Sequence, residues 1–444
     1  MGAEAASCNN NGRTEVFTTE QPRLAGSPIS RLVNNHFHAL THRNFRYYWF
    51  GQCVSLIGTW MQNIGQSWLV LKLTGSPFLL GLVGTIQFLP VTFFSLFAGL
   101  VIDRFPKRTI LMVTQTVAML LAFILSALVF SGKVEYGYIL VLAFLLGMNN
   151  NFDMPTRQAF TIEIVGKDDL MNAIALNSAT FNLARIIGPA IGASMMAFLG
   201  AGWCFLLNGF SFLAVLFSLT RIKATPYVRP KKPGTGIWSE IRDGFVYIAN
   251  DRVLSQTLLL LVVIGVLGFN FNVLIPSFTQ SVLHMEEGTY GFLMSCIGVG
   301  SLIGAITLSV RSKGGPRMKL ILTCSVLVSV FLSTIGFTRN LYVTGMALAL
   351  LGICNILFTT SCNSTLQIHS KDEYRARVMS IYSLVFTGST PLGNFFAGIA
   401  AEHLGPDGAF ILSGILAFIP IVCIILYFRL RKPAAKPREE TNGT

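Results

Sequence analysis

Charge is scarce in this chain. Asp, Glu, Lys and Arg make up 12% of its 444 residues, against about 25% in an average soluble domain. That scarcity excludes an ordinary water-soluble globular protein. Acids are scarcer still: 20 against 33 bases, for a net charge of +13. In a soluble protein that excess would point to nucleic acid. Here the bases fall in short loops between apolar runs, so a membrane surface accounts for them and no nucleic-acid partner is expected. Catalytic patterns are missing too. There is no His-Glu-x-x-His, no Gly-x-Ser-x-Gly and no Gly-rich loop ending in Gly-Lys-Ser/Thr. The last absence excludes ATP hydrolysis through a phosphate loop of the chain's own, and together they argue against an enzyme. Eight cysteines (Cys8, Cys53, Cys204, Cys296, Cys324, Cys354, Cys362 and Cys423) form no Cys-x-x-Cys pair, and seven lie in or beside apolar segments. They read as small buried apolar residues, not as a disulfide framework. Residues 1–42 hold no apolar core of signal-peptide type. His36, His38 and His42 cluster there without an acid or thiol, which suits an interfacial segment better than a metal site. Neither metal nor cofactor is expected.

What is present is apolar. Hydrophobic residues reach 52%, and Phe alone contributes 35. They fall into runs long enough to cross a bilayer. The runs cover about 44–72, 77–102, 109–131, 137–157, 171–199, 203–221, 255–282, 289–310, 317–337, 341–367, 375–402 and 407–430. The fold class is therefore an all-α membrane protein with twelve transmembrane helices. The expected units are a tail at 1–43, a six-helix bundle at 44–221, a basic linker at 222–254, a second bundle at 255–430 and a tail at 431–444. Within the linker, Ile237, Ile241, Phe245 and Ile248 recur at helical spacing and predict an amphipathic helix on the membrane surface.

Basic residues give the orientation. Of the 33, only Lys72, Lys133 and Arg339 fall in loops on one side, Arg185 lies inside a span, and 29 fall on the side holding both termini and the linker. That side is predicted to be cytoplasmic. The halves repeat weakly: LGMNNNF at 146–152 is echoed by LGICNILF at 351–358, Lys167-Asp168 by Lys371-Asp372, and Pro189 by Pro391.

Between the second and third runs stands Gly99-x-x-x-Asp103-Arg104-x-x-Lys107-Arg108. The pattern resembles the loop motif of the major facilitator superfamily, with Pro106 where that family often has Gly. The resemblance implies two parallel six-helix pseudo-repeats and transport by rocking of the halves. It also implies that Asp103 acts as a gating residue, with Gly99 letting helices approach closely. The corresponding loop in the second half, VRSKGGPRMK at 310–319, keeps the bases and lacks the acid.

Polar residues inside the spans lie on particular faces. In the first, Gln52, Ser55, Thr59, Gln62 and Gln66 form one helical stripe with Asn63 beside it. Lipid would penalise that stripe, so it faces the bundle or a water-filled cavity. Asn182, Asn270, Asn272 and Asn355 in spans five, seven and ten extend the candidate lining, the competing reading for each amide being interhelical bonding. Arg185 is mid-helix, where an unpaired charge costs roughly 3 kcal/mol or more. Its segment ARIIGPAIGA resembles the Gly-Pro motif of the superfamily's exporters, with Gly188 and Gly192 for close packing and Pro189 for a bend. The competing reading is a structural Arg bonded to carbonyls and to Asn182. Asp153 is the acid placed to lie within a span, and Arg157 follows one turn later; they read as a coupling pair or as a gate pair at the cytoplasmic end.

FRYYWFGQCVSLIGTWMQ, DMPTRQAF, NSATFNLARIIGPAIGA and SEIRDGFVYI resemble the subfamily of enterobactin-type and macrolide-type exporters. That resemblance implies a monomeric secondary transporter in a bacterial inner membrane, exporting a small amphipathic molecule by proton antiport, with lipid, substrate and protons as its partners. An importer of a polar nutrient would need a more charged cavity. A receptor or scaffold would need a soluble domain or long loops. The topology is testable. In a variant freed of native cysteines, a cysteine replacing Glu135 or Glu286 should react with an impermeant thiol reagent in intact cells, and one replacing Lys232 should not; labelling at 232 would reverse the orientation.

Overall fold

The computed structural model describes residues 37–166, 168–222, 237–311 and 318–430. The tails at 1–36 and 431–444, linker residues 223–236 and loop residues 312–317 lie outside them, as does the side chain of Asp103. After a 3-10 turn at His38–Thr41 come α1 (Arg43–Thr74), α2 (Pro77–Arg104), α3 (Lys107–Phe130), α4 (Tyr136–Val165), α5 (Leu170–Leu199) and α6 (Ala201–Arg221). The second part holds α7 (Ile237–Asn250), α8 (Arg252–Leu267), α9 (Phe271–Ser281), α10 (Glu287–Arg311), α11 (Met318–Phe337), α12 (Leu341–His369) and α13 (Asp372–Leu430).

Local chemistry sets the breaks. Gly75, at φ 64°, ends α1. Ser76 Oγ then accepts the Leu79 N–H at 3.2 Å, and Pro77 opens α2 with its fixed φ. Asp251 caps α8 by accepting from the Val253 and Leu254 N–H groups. The run expected at 255–282 is instead two helices. Asn270 Nδ2 donates to the Val266 carbonyl at 2.7 Å, and such a side-chain bond competes with the helical ladder at the break. The runs expected at 375–402 and 407–430 are both present within α13 as two helical stretches divided at non-helical Gly405 (φ 75°, ψ 160°), just before Pro406. A side chain would resist that φ.

Among the described residues, nine helical runs are long and apolar enough to cross a membrane. α1 and α4 are not among them, because the amides of α1 and the Asn149–Asp153 stretch of α4 lower their hydropathy. Large apolar side chains such as Phe93, Phe198, Phe217 and Phe337 stand exposed. In hydrocarbon that is the expected outer surface.

α7 docks on the second bundle. The Tyr247 ring stacks on Tyr374 with centroids 4.3 Å apart, Tyr247 Oη accepts the Lys371 N–H at 3.1 Å, and Ile248 is buried. Its inward face differs from the predicted one: Phe245 is 43% exposed, while Gly244 comes so close that a Cβ there would lie 2.8 Å from the Ile381 side chain. The absent side chain of Gly244 and the buried Ile248 together let α7 seat, and of the expected stripe Phe245 turns outward. The side chains of Ile237 and Ile241 lie outside the described residues.

The two bundles meet along α2 with α13 and α5 with α10. Near Ser76 and Glu402 the contact is backbone-close: a Cβ on Gly81 would fall 2.5 Å from the Asn394 carbonyl oxygen and 2.9 Å from Gly398 Cα. Thr85 Oγ1 donates to the Pro391 carbonyl at 3.2 Å. The contact thins to the Thr92 methyl, 3.7 Å from where a Gly388 Cβ would stand. Beyond it Phe93, Phe94 and Leu384 are exposed. Gly99, expected to permit a close approach, is exposed and among the described residues has no neighbouring atom within 4 Å of where a Cβ would stand. By contrast a Cβ on Gly300 would lie 1.9 Å from the Ala349 carbonyl. Gly300→Ala should therefore lower the melting temperature of the detergent-purified protein by an amount worth about 1–3 kcal/mol, while Gly99→Ala should stay within about 0.5 kcal/mol of the parent; equal effects would contradict the open space beside Gly99.

Candidate functional site

At the closed end the bundles are joined by polar and aromatic contacts. Glu402 Oε2 accepts from Ser76 Oγ at 2.7 Å and from the Phe78 N–H at 3.1 Å, so an acid of α13 caps the N-terminus of α2 across the divide. Trp68 of α1 stacks on Tyr290 of α10 at 5.9 Å. Ser295 Oγ of α10 donates to the Ile186 carbonyl of α5 at 3.1 Å. Beneath these contacts lies a cavity of about 70 Å³ walled by Asn63, Gln66, Gln87, Asn272 and Asn394, with Ser67 and apolar neighbours. It has room for a few waters, not for a substrate. Its donors and acceptors belong to α1, α2, α9 and α13, and so to both bundles.

Three predicted lining residues, Asn63, Gln66 and Asn272, stand in that wall. The others turn elsewhere. Gln62 Oε1 accepts from Asn208 Nδ2 of α6 at 2.7 Å. Asn182 Nδ2 donates to the Ser178 carbonyl at 2.9 Å. Asn270 is occupied by Val266, as above. Gln52 is buried on α1 with its Nε2 unbonded, and Asn355 is buried on α12. Gln87, Asn394, Ser67 and Glu402 were not singled out by the sequence. Each is an isolated polar residue in or beside an apolar run, and only the pairing of α2 with α13 gives most of them a partner across the divide.

Arg185 sits at the middle of α5. The turn after it is clamped to α1, since a Cβ on Gly188 would lie 2.4 Å from Trp60 Cβ and one on Gly192 would lie 3.0 Å from Met61 Cγ. Buried Pro189 presents its carbonyl to Gly291 of α10. The Arg185 guanidinium lies over the Trp60 ring, 5.8 Å from its centroid. The side chain is half-buried. Asn182, its expected partner, donates through Nδ2 to the Ser178 carbonyl and makes no hydrogen bond to the guanidinium.

Asp153 is buried and fully engaged. One carboxylate oxygen accepts from Thr114 Oγ1 and Gln115 Nε2, both at 2.7 Å, and the other from Arg157 Nε. Thr114 and Gln115 belong to α3. These partners lie within one bundle, so the pair ties α3 to α4 and does not bridge a gate between bundles.

At the parted end, Arg108 Nε donates to the Leu219 carbonyl at 2.7 Å and its Nη2 to that of Thr220 at 3.3 Å. A cation there satisfies the last carbonyls of α6 and suits the negative end of that helix. Lys107 is buried and Arg104 exposed. Across the opening, Arg375 pairs with Asp372 at 2.6 Å and Arg377 with Asp243 of α7 at 3.8 Å. Nearby, His42 Nε2 lies 2.8 Å from an Asp169 oxygen and the Ala39 N–H donates to Asn172, which fastens the start of α1 to the α4–α5 turn. His36 lies outside the described residues.

Residues 34–442 match the family model described as Transmembrane secretion effector. The chain is 27% identical to the Staphyloferrin A transporter of Staphylococcus aureus, over 90% of this chain and 99% of that protein. It is 21% identical to the Macrolide efflux protein A of Streptococcus pyogenes, over 84% and 94%. The crystal structure of the nucleoside transporter NupG superposes with a TM-score of 0.70 at 10% identity, covering 87% of this chain and 100% of that one. At that identity the likeness concerns the fold alone.

The Asp153 cluster yields a stability prediction. Asp153→Ala leaves Arg157 without its counter-charge and should cost about 3–5 kcal/mol. Adding Arg157→Gln should recover part of the loss, with a coupling energy above about 1 kcal/mol in a double-mutant cycle on thermal unfolding. Strict additivity would mean that the pair contributes nothing beyond its separate residues.

Proposed function

The chain belongs to the transmembrane secretion effector family of major facilitator transporters, and we propose that it exports a small amphipathic molecule of siderophore, antibiotic or drug-like type from a bacterial cytoplasm. It is a membrane transporter and not an enzyme. The observation that carries the reading is the asymmetry of the two bundles. They are closed at the Ser76–Glu402 end and parted at the end bearing Arg104 and Lys107. Placing the basic loops and both termini in the cytoplasm makes this the inward-open state of an alternating-access cycle in the inner membrane. A relative named for macrolide efflux supports the outward direction. Twelve crossings follow if α1 and α4 traverse, α8 and α9 count as one and α13 turns at Gly405. A monomer carries the whole path.

Proton antiport supplies the energy in this reading. The chain has no phosphate loop, and Asp153 is its buried candidate for taking up a proton. Two carboxylates act as opposed latches. Glu402 holds the outer end through the N-terminus of α2. Asp103, at the end of α2, meets the N-terminus of α13 when the inner end closes, beside Arg375 and Arg377. A partly buried charge–dipole contact contributes up to about 2 kcal/mol, or roughly thirty-fold in the ratio of states.

The test uses inside-out vesicles and a cysteine replacing Ser383 in the inner vestibule. A protonophore should abolish substrate uptake, while loss of ATP with the gradient maintained should not. Asp103→Asn should raise labelling at 383 and slow transport; Glu402→Gln should lower labelling, by a smaller factor because Glu402 is exposed. Transport that survives collapse of the gradient would remove proton coupling, and unchanged labelling in both variants would remove the latches.

A further inference from the structure

Export as such does not say what meets Arg185. We propose that the transported molecule is an organic anion and that Arg185 pairs with its acidic group. The inference rests on the transport reading above and names its substrate class.

Arg185 is the sixteenth residue of the thirty in α5. At 1.5 Å per residue it lies about 20 Å from either end of that helix, near the bilayer centre and beyond the reach of snorkelling. The helix cannot slide to relieve it. Gly188 is against Trp60, the Ile186 carbonyl accepts from Ser295, and a Cβ on Gly298 of α10 would lie 3.0 Å from the Arg185 carbonyl.

Among the described residues the Arg185 guanidinium has no hydrogen bond and no ion pair; its contact is the face of Trp60. A guanidinium carries five donors. Asn182, one turn earlier, donates to Ser178 and makes no hydrogen bond to Arg185, and the buried acid Asp153 is taken up by Thr114, Gln115 and Arg157. A fixed charge at that depth is unfavourable by roughly 3 kcal/mol or more unless something neutralises it. No carboxylate of the described chain does so, and the half-buried side chain stays accessible to a visiting anion. Trp60 and Phe181, in edge contact at 5.6 Å, form an aromatic wall beside the charge. An acid group on Arg185 with an apolar body against that wall fits an amphipathic organic anion. An amphipathic cation would meet uncompensated repulsion.

The full-length protein in detergent is titrated by equilibrium dialysis at pH 7 with 1-naphthoate, its neutral isostere 1-naphthamide and the cation 1-naphthylmethylammonium. Naphthoate should bind at least about tenfold more tightly than the amide, a modest preference for a charge-assisted bond, and the cation most weakly. Arg185→Gln should erase the naphthoate advantage and leave amide binding unchanged. Arg185→Lys should keep the advantage at about a third of its size or less, because a point charge replaces a bidentate fork. Gel filtration reports folding, and if Arg185→Gln does not pass it the Lys variant decides. Equal affinity for acid and amide, preference for the cation, no naphthoate binding, or an advantage that survives loss of the guanidinium would overturn the assignment. The same probes in energised inside-out vesicles separate the two readings. Preferential binding of naphthoate without uptake sinks export and leaves the anion site standing. Uptake favouring the amide or cation sinks the anion site and leaves export.

Discussion

Hydrocarbon offers no hydrogen-bond partner, and nearly every feature of this molecule answers that constraint. Most backbone groups are satisfied within helices, and among the described residues Ser76, Asp251 and Asn340 cap helix starts. Side-chain polarity inside the bundles is consumed locally, as where Gln62 meets Asn208 and Ser126 Oγ bonds the Gly202 carbonyl. Asp153 displays the rule for a charge: three donors surround one carboxylate. Arg185 breaks the rule in the same bundle. In water an unpaired arginine needs no account; at the centre of a membrane it marks a place where the protein is complete only when something else is bound.

The same constraint shapes the gate. The closed end is built from glycine-mediated backbone contacts and a few hydrogen bonds, with Gly81 on Asn394 and Gly398, Thr85 on Pro391, and Glu402 on α2. A net hydrogen bond contributes only about 0.5–1.5 kcal/mol, so the outer closure is specific in geometry without being deep in energy. The amides around the small cavity suit such a seam. Asn63, Gln66, Gln87, Asn272 and Asn394 can exchange partners with water as the bundles part, where an apolar seam would have to be opened against lipid or left dry.

Much of this was legible in the chain. Long apolar runs, short basic turns and the interrupted linker define most helix ends to within a few residues, because the bilayer sets their length and composition at once, while α4 runs on from the expected end at 157 to Val165. The broken helix at 268–270 was not legible, since periodicity is blind to a local break that keeps the chain apolar, whereas the division of α13 at Gly405 falls in the expected turn between 402 and 407. The amide stripe of α1 was legible as a stripe. Which neighbour it faced was not, because Asn63 and Gln66 reach the divide while Gln62, on the adjacent phase, reaches α6. Gln87, Asn394 and Glu402 carry no local signal at all; their meaning comes from the pairing of two helices far apart in the chain. Arg108 looked interchangeable with its basic neighbours until its bonds to the α6 carbonyls gave it one position.

An anionic cargo also changes the energetics of the cycle. A cell interior is negative, and each elementary charge moved across the membrane is worth about 2.3 kcal/mol per 100 mV. An anion leaving on Arg185 moves down that potential, and a proton entering moves down it as well. One exchanged proton then couples to two favourable charge movements, so the transporter has little need for the chains of membrane acids that a cation exporter must use to overcome the potential. That matches a first bundle in which, among the described residues, Asp153 is the buried acid, held by Arg157, Thr114 and Gln115 and the candidate for the single exchanged proton. It also gives the latches a narrower task. In the proposed cycle Asp103 and Glu402 stand at the two ends of the bundles, so that their task is which end is closed and the direction falls to the field and the cargo's own charge.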